Sequence, residues 1–280
     1  MKETEFFLLD LESRFKGIDK KKYYLSYSGG KDSHFLYWFI KEWLKDDEIE
    51  IVSCNTYLEH DEIMKRMYRN ADTILLPKMR PFDIKEKYGI PCFSKVQDDW
   101  IDRYQRGSRA DYLMKRIRGN EDGNWTKFKL NNKARELLLN GNLHRISPKC
   151  CRELKKKPFH EYERKCDKKP ILGVRGTESV LRGSKYKTCF TKEKRFAPIH
   201  DMSDEMLEKI QTEFNIDVPE IYDHIGRTGC AGCPYGSWKK ETTKELNLLN
   251  ENKRKFVCQY FKESYEVLGI NINTKQERLF

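Results

Sequence analysis

Long hydrophobic runs are missing from this chain of 280 residues. The longest apolar or aromatic stretch near its start is Phe35 to Ile40, far short of the ~20 residues that span a bilayer. Its opening alternates acidic and apolar side chains (Glu3, Glu5, Asp10, Glu12) with no basic stretch leading into an apolar one, which argues against a secretory leader. Internal repeats and low-complexity linkers are also absent. Histidine is scarce, six in all and scattered, so no Ser/His/Asp constellation can be drawn. The cysteine count is odd, nine, which argues against a disulfide framework. Membrane and secreted classes fall away, and a cytoplasmic globular protein is the expectation.

What is present supports a folded chain. Aromatics make up 12% of residues against a mean hydropathy of −0.84, too many rings for a disordered segment. A chain of this length buries about three-quarters of its unfolded surface and needs no cross-links to fold. The formal net charge is +11. Between Arg103 and Lys169 there are 20 basic and 8 acidic residues, so this segment carries the whole excess. Tyr104, Tyr112, Trp125 and Phe128 are interleaved with Arg106, Arg109, Lys115, Arg116, Arg118, Lys127 and Lys129. Such a face suits a nucleic-acid backbone with bases stacked on rings. It equally suits an anionic substrate or a solvated surface whose rings serve the local core.

Strand and helix patterns alternate over the first 76 residues. Tyr23–Tyr27 reads as a buried strand, and a helix is expected to start at Asp32 or Ser33. Phe35, Leu36, Phe39, Ile40, Trp43 and Leu44 then fall on one helical face. Strands follow at Ile49–Cys54 and Thr73–Leu76, with a helix over Asp61–Ala71 between them. A return strand is expected at Pro170–Arg175, and helices at Asp204–Phe214 and Glu241–Leu268. This predicts an α/β fold, a parallel twisted sheet with helices on both faces, in one domain over 1–280. A helical, basic insertion is expected at about 81–148 and a helical C-terminal tail at about 241–280.

The stretch Ser28-Gly29-Gly30-Lys31-Asp32-Ser33 sits between the first strand, which ends in Ser26 and Tyr27, and its helix. Two glycines let the backbone approach an anion. The helix N-terminus offers free N–H groups and the positive end of a dipole. Lys31 adds a point charge, and the Ser28 and Ser33 hydroxyls can donate to phosphate oxygens. The spacing does not match the common G-x-x-x-x-G-K-[ST] loop. A tight capped turn without a ligand is the bland alternative.

This stretch resembles the pyrophosphate-binding loop of the adenine nucleotide alpha-hydrolase-like (PP-loop) superfamily, and specifically the phosphoadenylyl-sulfate reductase family. Asn55-Thr56 followed by Glu59 is similar to that family's motif after the second strand, where adenine and ribose lie. Gly173-Val174-Arg175-Gly176-Thr177-Glu178-Ser179, with Arg182, is similar to its later arginine-rich motif. Pro198-Ile199 through Pro219, Tyr222 and Asp223 looks like the segment leading to its last cysteines. The resemblance implies a Rossmann-like fold and chemistry at the α-phosphate of ATP or adenylyl sulfate. It places Ser26, Ser28–Ser33, Asn55, Thr56, Gly173, Arg175 and Glu178 around the nucleotide, with Mg2+ beside Asp32. Lys31, Asp32, Arg175 and Arg182 are then the candidates for charge stabilisation. Guanidinium forks match oxyanions, although Arg175 and Arg182 could also be salt-bridge residues with Glu178.

Four cysteines form a pattern, Cys150-Cys151 and Cys230-Ala-Gly-Cys233-Pro. Four thiolates suit tetrahedral zinc or a 4Fe–4S cluster. The tandem pair with a distant C-x-x-C is similar to cluster ligation in the adenylyl-sulfate branch of the family, which implies 4Fe–4S. Reductases of the family use a cysteine near the C-terminus, and residues 271–280 contain none. The last cysteine, Cys258, lies in an amphipathic helical pattern. The combination is more similar to family branches that couple ATP pyrophosphatase chemistry to sulfur transfer, including thiolation and phosphorothioation of nucleic acid. The partners implied are an adenine nucleotide, nucleic acid along 103–169, a sulfur donor or thioredoxin-like protein, and a second copy of the chain. A sulfite-producing reductase and a non-catalytic nucleotide- or nucleic-acid-binding module are the alternatives.

Overall fold

The computed structural model describes residues 2–120, 128–178, 180–226, 228–239 and 241–272. In chain order the elements begin with α1 (Glu3–Lys16), β1 (Tyr23–Ser26), α2 (Lys31–Trp38), β2 (Glu50–Cys54), α3 (Asp61–Asn70) and β3 (Thr73–Leu75). Then come α4 (Pro81–Tyr88), α5 (Lys95–Gln105), α6 (Asp111–Arg118), α7 (Asn132–Leu139), α8 (Lys157–Cys166) and β4 (Lys169–Ile171). The chain closes with α9 (Val180–Lys185), α10 (Asp204–Glu213), α11 (Glu241–Leu248), α12 (Glu251–Tyr260) and α13 (Lys262–Leu268). These fall into two compact units. One comprises residues 1–55, 59–76 and 157–228, the other 56–58, 77–156 and 229–280.

The first unit holds the sheet, in order β3-β2-β1-β4. All three pairings are parallel, with Leu25 opposite both Ile51 and Ile171. Parallel strands covered on both faces read as apolar runs. On one face Leu25, Ile51 and Ile171 pack with Leu8, Leu11 and Phe15 of α1, Phe35 and Leu36 of α2, and Leu207 and Ile210 of α10. On the other, Tyr24, Val52 and Cys54 pack with Phe159 of α8. The predicted fold class is therefore the observed one. Helix α2 begins at Lys31 with Gly30 as its cap, one residue before the predicted start. It runs into a wider turn, Phe39–Trp43, whose Leu44 amide bonds to the Phe39 carbonyl at 2.9 Å. The return strand is shorter than predicted, because after Ile171 the chain leaves the sheet and Leu172 donates to the Phe196 carbonyl at 2.7 Å.

The segments read as insertion and tail lie in the second unit. It has two apolar clusters. One gathers Trp100, Ile101, Leu113, Ile117, Ala134 and Ile146 from α5, α6, α7 and the following loop. The other joins Cys150, Leu154 and Ala231 to Val257, Tyr260 and Tyr265 of α12 and α13. No helix among the described residues is long and apolar enough to cross a membrane.

Candidate functional site

β1 delivers the chain to the glycine turn from inside the sheet. Gly29 has φ +73°, and a Cβ there would lie 3.0 Å from the Ile63 carbonyl and 3.1 Å from its methyl, so the position demands glycine twice over. A Cβ on Gly30 would sit 2.7 Å from the Tyr222 hydroxyl. The first-turn amides of α2 have no acceptor within the helix, and side chains bond to and across the turn. Lys31 N donates to the Tyr222 hydroxyl at 3.2 Å, and that hydroxyl is 2.7 Å from Thr228 Oγ1. Ser33 Oγ accepts from Ser28 N at 3.2 Å, lies 3.0 Å from Ser28 Oγ and donates to the Gly30 carbonyl at 3.0 Å. The result is a short turn ringed by hydroxyls at the positive end of a helix, an anion-receptive arrangement.

The Gly173–Thr177 motif comes to this same turn. A Cβ on Gly173 would lie 2.9 Å from Ser33 N and 3.0 Å from the Asp32 carbonyl carbon, so only glycine lets the two backbones touch. Arg175, 2% exposed, donates from Nε to Asp32 Oδ1 at 2.5 Å and from Nη2 to Asp204 Oδ1 at 2.7 Å. Burial works to lower its pKa, but the two carboxylates outweigh that and the net direction is upward. The Arg175 hydrogen bond holds Asp204 below the usual carboxylate range. Lys31 Nζ lies 3.8 Å from Asp204 and 5.7 Å from the centre of the Tyr222 ring. Arg175 is thus a strut joining the loop helix to α10.

Other sequence candidates spread out. Ser26 ends β1. Asn55 follows β2, is buried and donates to the Tyr68 hydroxyl at 2.9 Å. Thr56 falls in the second unit, its Oγ1 3.8 Å from Cys230 Sγ. Arg182 is half-buried on α9. The Glu178 side chain and Ser179 lie outside the described residues. Asp204 and Thr228 were missed by the sequence reading, and Tyr222 entered it only as part of a connecting segment. No spacing signal ties any of them to residues 28–33, because tertiary packing alone brings them there.

No family model and no curated protein matches the chain. Among the solved structures similar to it are the following two. One is the phosphoadenylyl-sulfate (PAPS) reductase of Candida auris, in a phosphate complex, with 9% identity, 78% of this chain and 83% of that one covered, and a TM-score of 0.41. The other is the NH3-dependent NAD synthetase of Campylobacter jejuni subsp. jejuni, in complex with nitrate, with 15% identity, 94% of each chain covered and a TM-score of 0.40.

The second unit contains all four patterned cysteines. Cys150 is buried in an apolar cluster against which Cys230 packs. Gly232, between Cys230 and Cys233, has φ +63°, and a Cβ there would strike the Tyr265 hydroxyl, Val257 and Leu246. The Tyr260 hydroxyl donates to Cys150 Sγ at 3.4 Å. Burial pushes the Cys150 thiol up to about 12. Cys233 is raised by burial and by the proximity of Cys151 and Cys150. Among the described residues, no three His, Cys, Asp or Glu side chains are arranged to hold a metal ion. The four thiols are neighbours that do not converge on one point.

The basic segment is partly neutralised within its own helices. Arg103 pairs with Asp99 at 2.8 Å, Arg106 with Asp102 at 2.8 Å and Lys115 with Asp111 at 2.9 Å. Two of its rings lie against guanidinium groups, Arg109 4.0 Å from the centre of Tyr104 and Arg116 5.6 Å from that of Tyr112, whereas Phe128 is exposed. Trp125 and Lys127 lie outside the described residues.

Proposed function

We propose that the chain is a PP-loop ATP pyrophosphatase that activates an acceptor oxygen at the α-phosphate and serves sulfur transfer. The observation that carries this reading is the hydroxyl-ringed glycine turn at the head of α2, locked by Gly173 and Arg175. A phosphate oxygen entering the turn would take the Lys31 amide from the Tyr222 hydroxyl, while Ser28 and Ser33 present hydroxyls and Lys31 Nζ supplies charge. The acceptor oxygen attacks the α-phosphorus, the α–β anhydride bond breaks, and pyrophosphate leaves on the loop. A sulfide-level nucleophile then forms the new bond to the acceptor atom, and AMP departs with the original oxygen. Asp32 has one oxygen committed to a buried guanidinium. Mg2+ would be held beside Asp32 chiefly by triphosphate oxygens and water, and would offset the phosphate charge there.

By donor chemistry alone the four thiols suit a thiolate-ligated group: Cys150 and Cys151 open a helical segment, Cys230 and Cys233 flank the Gly232 turn in the same unit, and the Tyr260 hydroxyl addresses one of them. Cys150, Cys151, Cys230 and Cys233 would hold a 4Fe–4S cluster. It would supply a sulfur- or electron-handling centre there.

A sulfonucleotide reductase would need a reactive thiol. Cys258 is partly covered on α12, and burial raises its pKa, which disfavours it as a nucleophile. The sulfur-transfer reading includes nucleic acid as acceptor, reached along residues 103–169. The test uses ATP labelled at the α-phosphate, with and without RNA or DNA and a sulfide source. AMP and pyrophosphate released on addition of nucleic acid are expected, whereas ADP, or sulfite from adenylyl sulfate, would overturn the assignment.

A further inference from the structure

Two buried aspartates on α5 reach toward the two cysteine pairs from one helix face. Asp98 and Asp102 are 0% and 2% exposed. Four residues apart, they stand about 6 Å apart along the axis on the same side of the helix. Asp98 Oδ2 accepts from the Tyr235 hydroxyl at 2.9 Å, and Tyr235 lies two residues beyond Cys233 in the C-x-x-C turn. Asp102 Oδ2 pairs with Lys149 Nζ at 3.5 Å, and Lys149 immediately precedes Cys150-Cys151. Both links lie within the second unit.

We propose that α5 is the frame that sets the spacing of the two cysteine pairs, with Asp98 acting through Tyr235 and Asp102 through Lys149 as positioning residues. Each carboxylate also has local work. Asp98 accepts from Cys92 N at 2.7 Å and Phe93 N at 3.0 Å, and Asp102 accepts from Arg106 Nη2 at 2.8 Å. Those bonds fix both carboxylates to α5 and its leading loop, so that each presents a stationary acceptor to the distant partner. Residues around metal ligands commonly orient them in this way. The importance of the frame for a bound cluster rests on the thiolate-ligated reading above, but the frame itself is a property of the protein alone.

Tyr235→Phe removes one distant bond, and Lys149→Met removes the other together with the ammonium's contact over the Tyr88 ring; both leave the local bonds of Asp98 and Asp102 intact. The first measurement is the alkylation rate of each thiol in metal-free full-length protein, followed by mass spectrometry. Expected is at least a threefold faster reaction at Cys233 in Tyr235→Phe and at Cys150 or Cys151 in Lys149→Met. Cys189, a thiol of the first unit, reports any general loosening and is expected to keep its rate. Unchanged rates at the patterned cysteines, or an equal rise at Cys189, would overturn the frame. The second measurement is iron and acid-labile sulfide in anaerobically purified protein, with the visible spectrum. If the parent protein holds a cluster, both variants should lose it to a chelator at least threefold faster; equal loss rates would again overturn the frame. A parent protein with no iron or sulfide sinks the cluster reading alone, and the alkylation rates still decide the frame.

Discussion

At the scale of single residues, the phosphate-loop assignment depends on contacts too close to admit a side chain. Gly173→Ala would press a methyl group onto the backbone of Ser33, and α2 cannot yield without moving its first turn. A loss of ATP affinity of tenfold or more is expected, read by calorimetric titration, with the melting profile nearly preserved. Gly29→Ala forces a left-handed alanine, costing about 1–2 kcal/mol, and is expected to lower both stability and affinity. Arg175→Met strands Asp32 beside a buried apolar chain, and breaking such a pair costs about 3 kcal/mol. Asp204→Asn, at a half-exposed partner, is expected to cost less than about 1 kcal/mol; denaturant midpoints give the order. His34 adds a pH signature. Its Nδ1 lies 3.0 Å from the Tyr27 hydroxyl, and burial, helped by Arg66, lowers its pKa to about 4. The unfolded imidazole takes its proton near 6.5. Between those values the unfolded state binds more protons, so stability falls as pH drops from 6.5 to 4, by up to about 1.4 kcal/mol per pH unit. His34→Gln is expected to flatten that slope in urea titrations. His144, also lowered to about 4 by burial, contributes in the same direction and remains in the variant.

Elements differed in how openly the sequence declared them. β1, β2 and α2 were legible because their apolar residues fill two sheet faces or one helix face, and the glycine turn between β1 and α2 has a spacing of its own. The extent of β4 was not legible. Pro170 to Val174 reads as apolar and extended throughout, yet only Lys169–Ile171 pairs with β1, because Gly173 is drawn away to α2. The role of α5 was hidden because acidic residues just before a basic segment look like charge balance until their burial is known. The same limit applies to Tyr104 and Tyr112, whose spacing among basic residues does not show that Arg109 and Arg116 lie over their rings. A prediction belongs to α12 as well. If Cys258 is a packing residue of that helix, Cys258→Ser should leave nucleotide turnover unchanged. An abolished sulfite yield from adenylyl sulfate would instead restore the reductase reading.

For the whole molecule, the two functions proposed fall to separate units, the phosphate loop to the sheet-bearing one and the four patterned cysteines to the other. This predicts that Cys151→Ser or Cys233→Ser leaves equilibrium ATP binding within about twofold of the parent while removing sulfur transfer. Simultaneous loss of both activities, with an unchanged melting profile, would contradict the division. The chain passes between the units five times, so no single cut liberates either one, and truncation is a poor tool beside point substitution. The register of the sheet has a consequence for how this protein is made. Tyr23 of β1 pairs with Lys169 of β4, roughly 145 residues downstream, and such distant pairings slow folding. While the ribosome is still synthesising the intervening stretch, β1 has β2 on one flank and a bare hydrogen-bonding edge on the other. A nascent chain stalled before residue 169 should therefore be protease-sensitive and adhesive, and the phosphate loop should mature only late in translation.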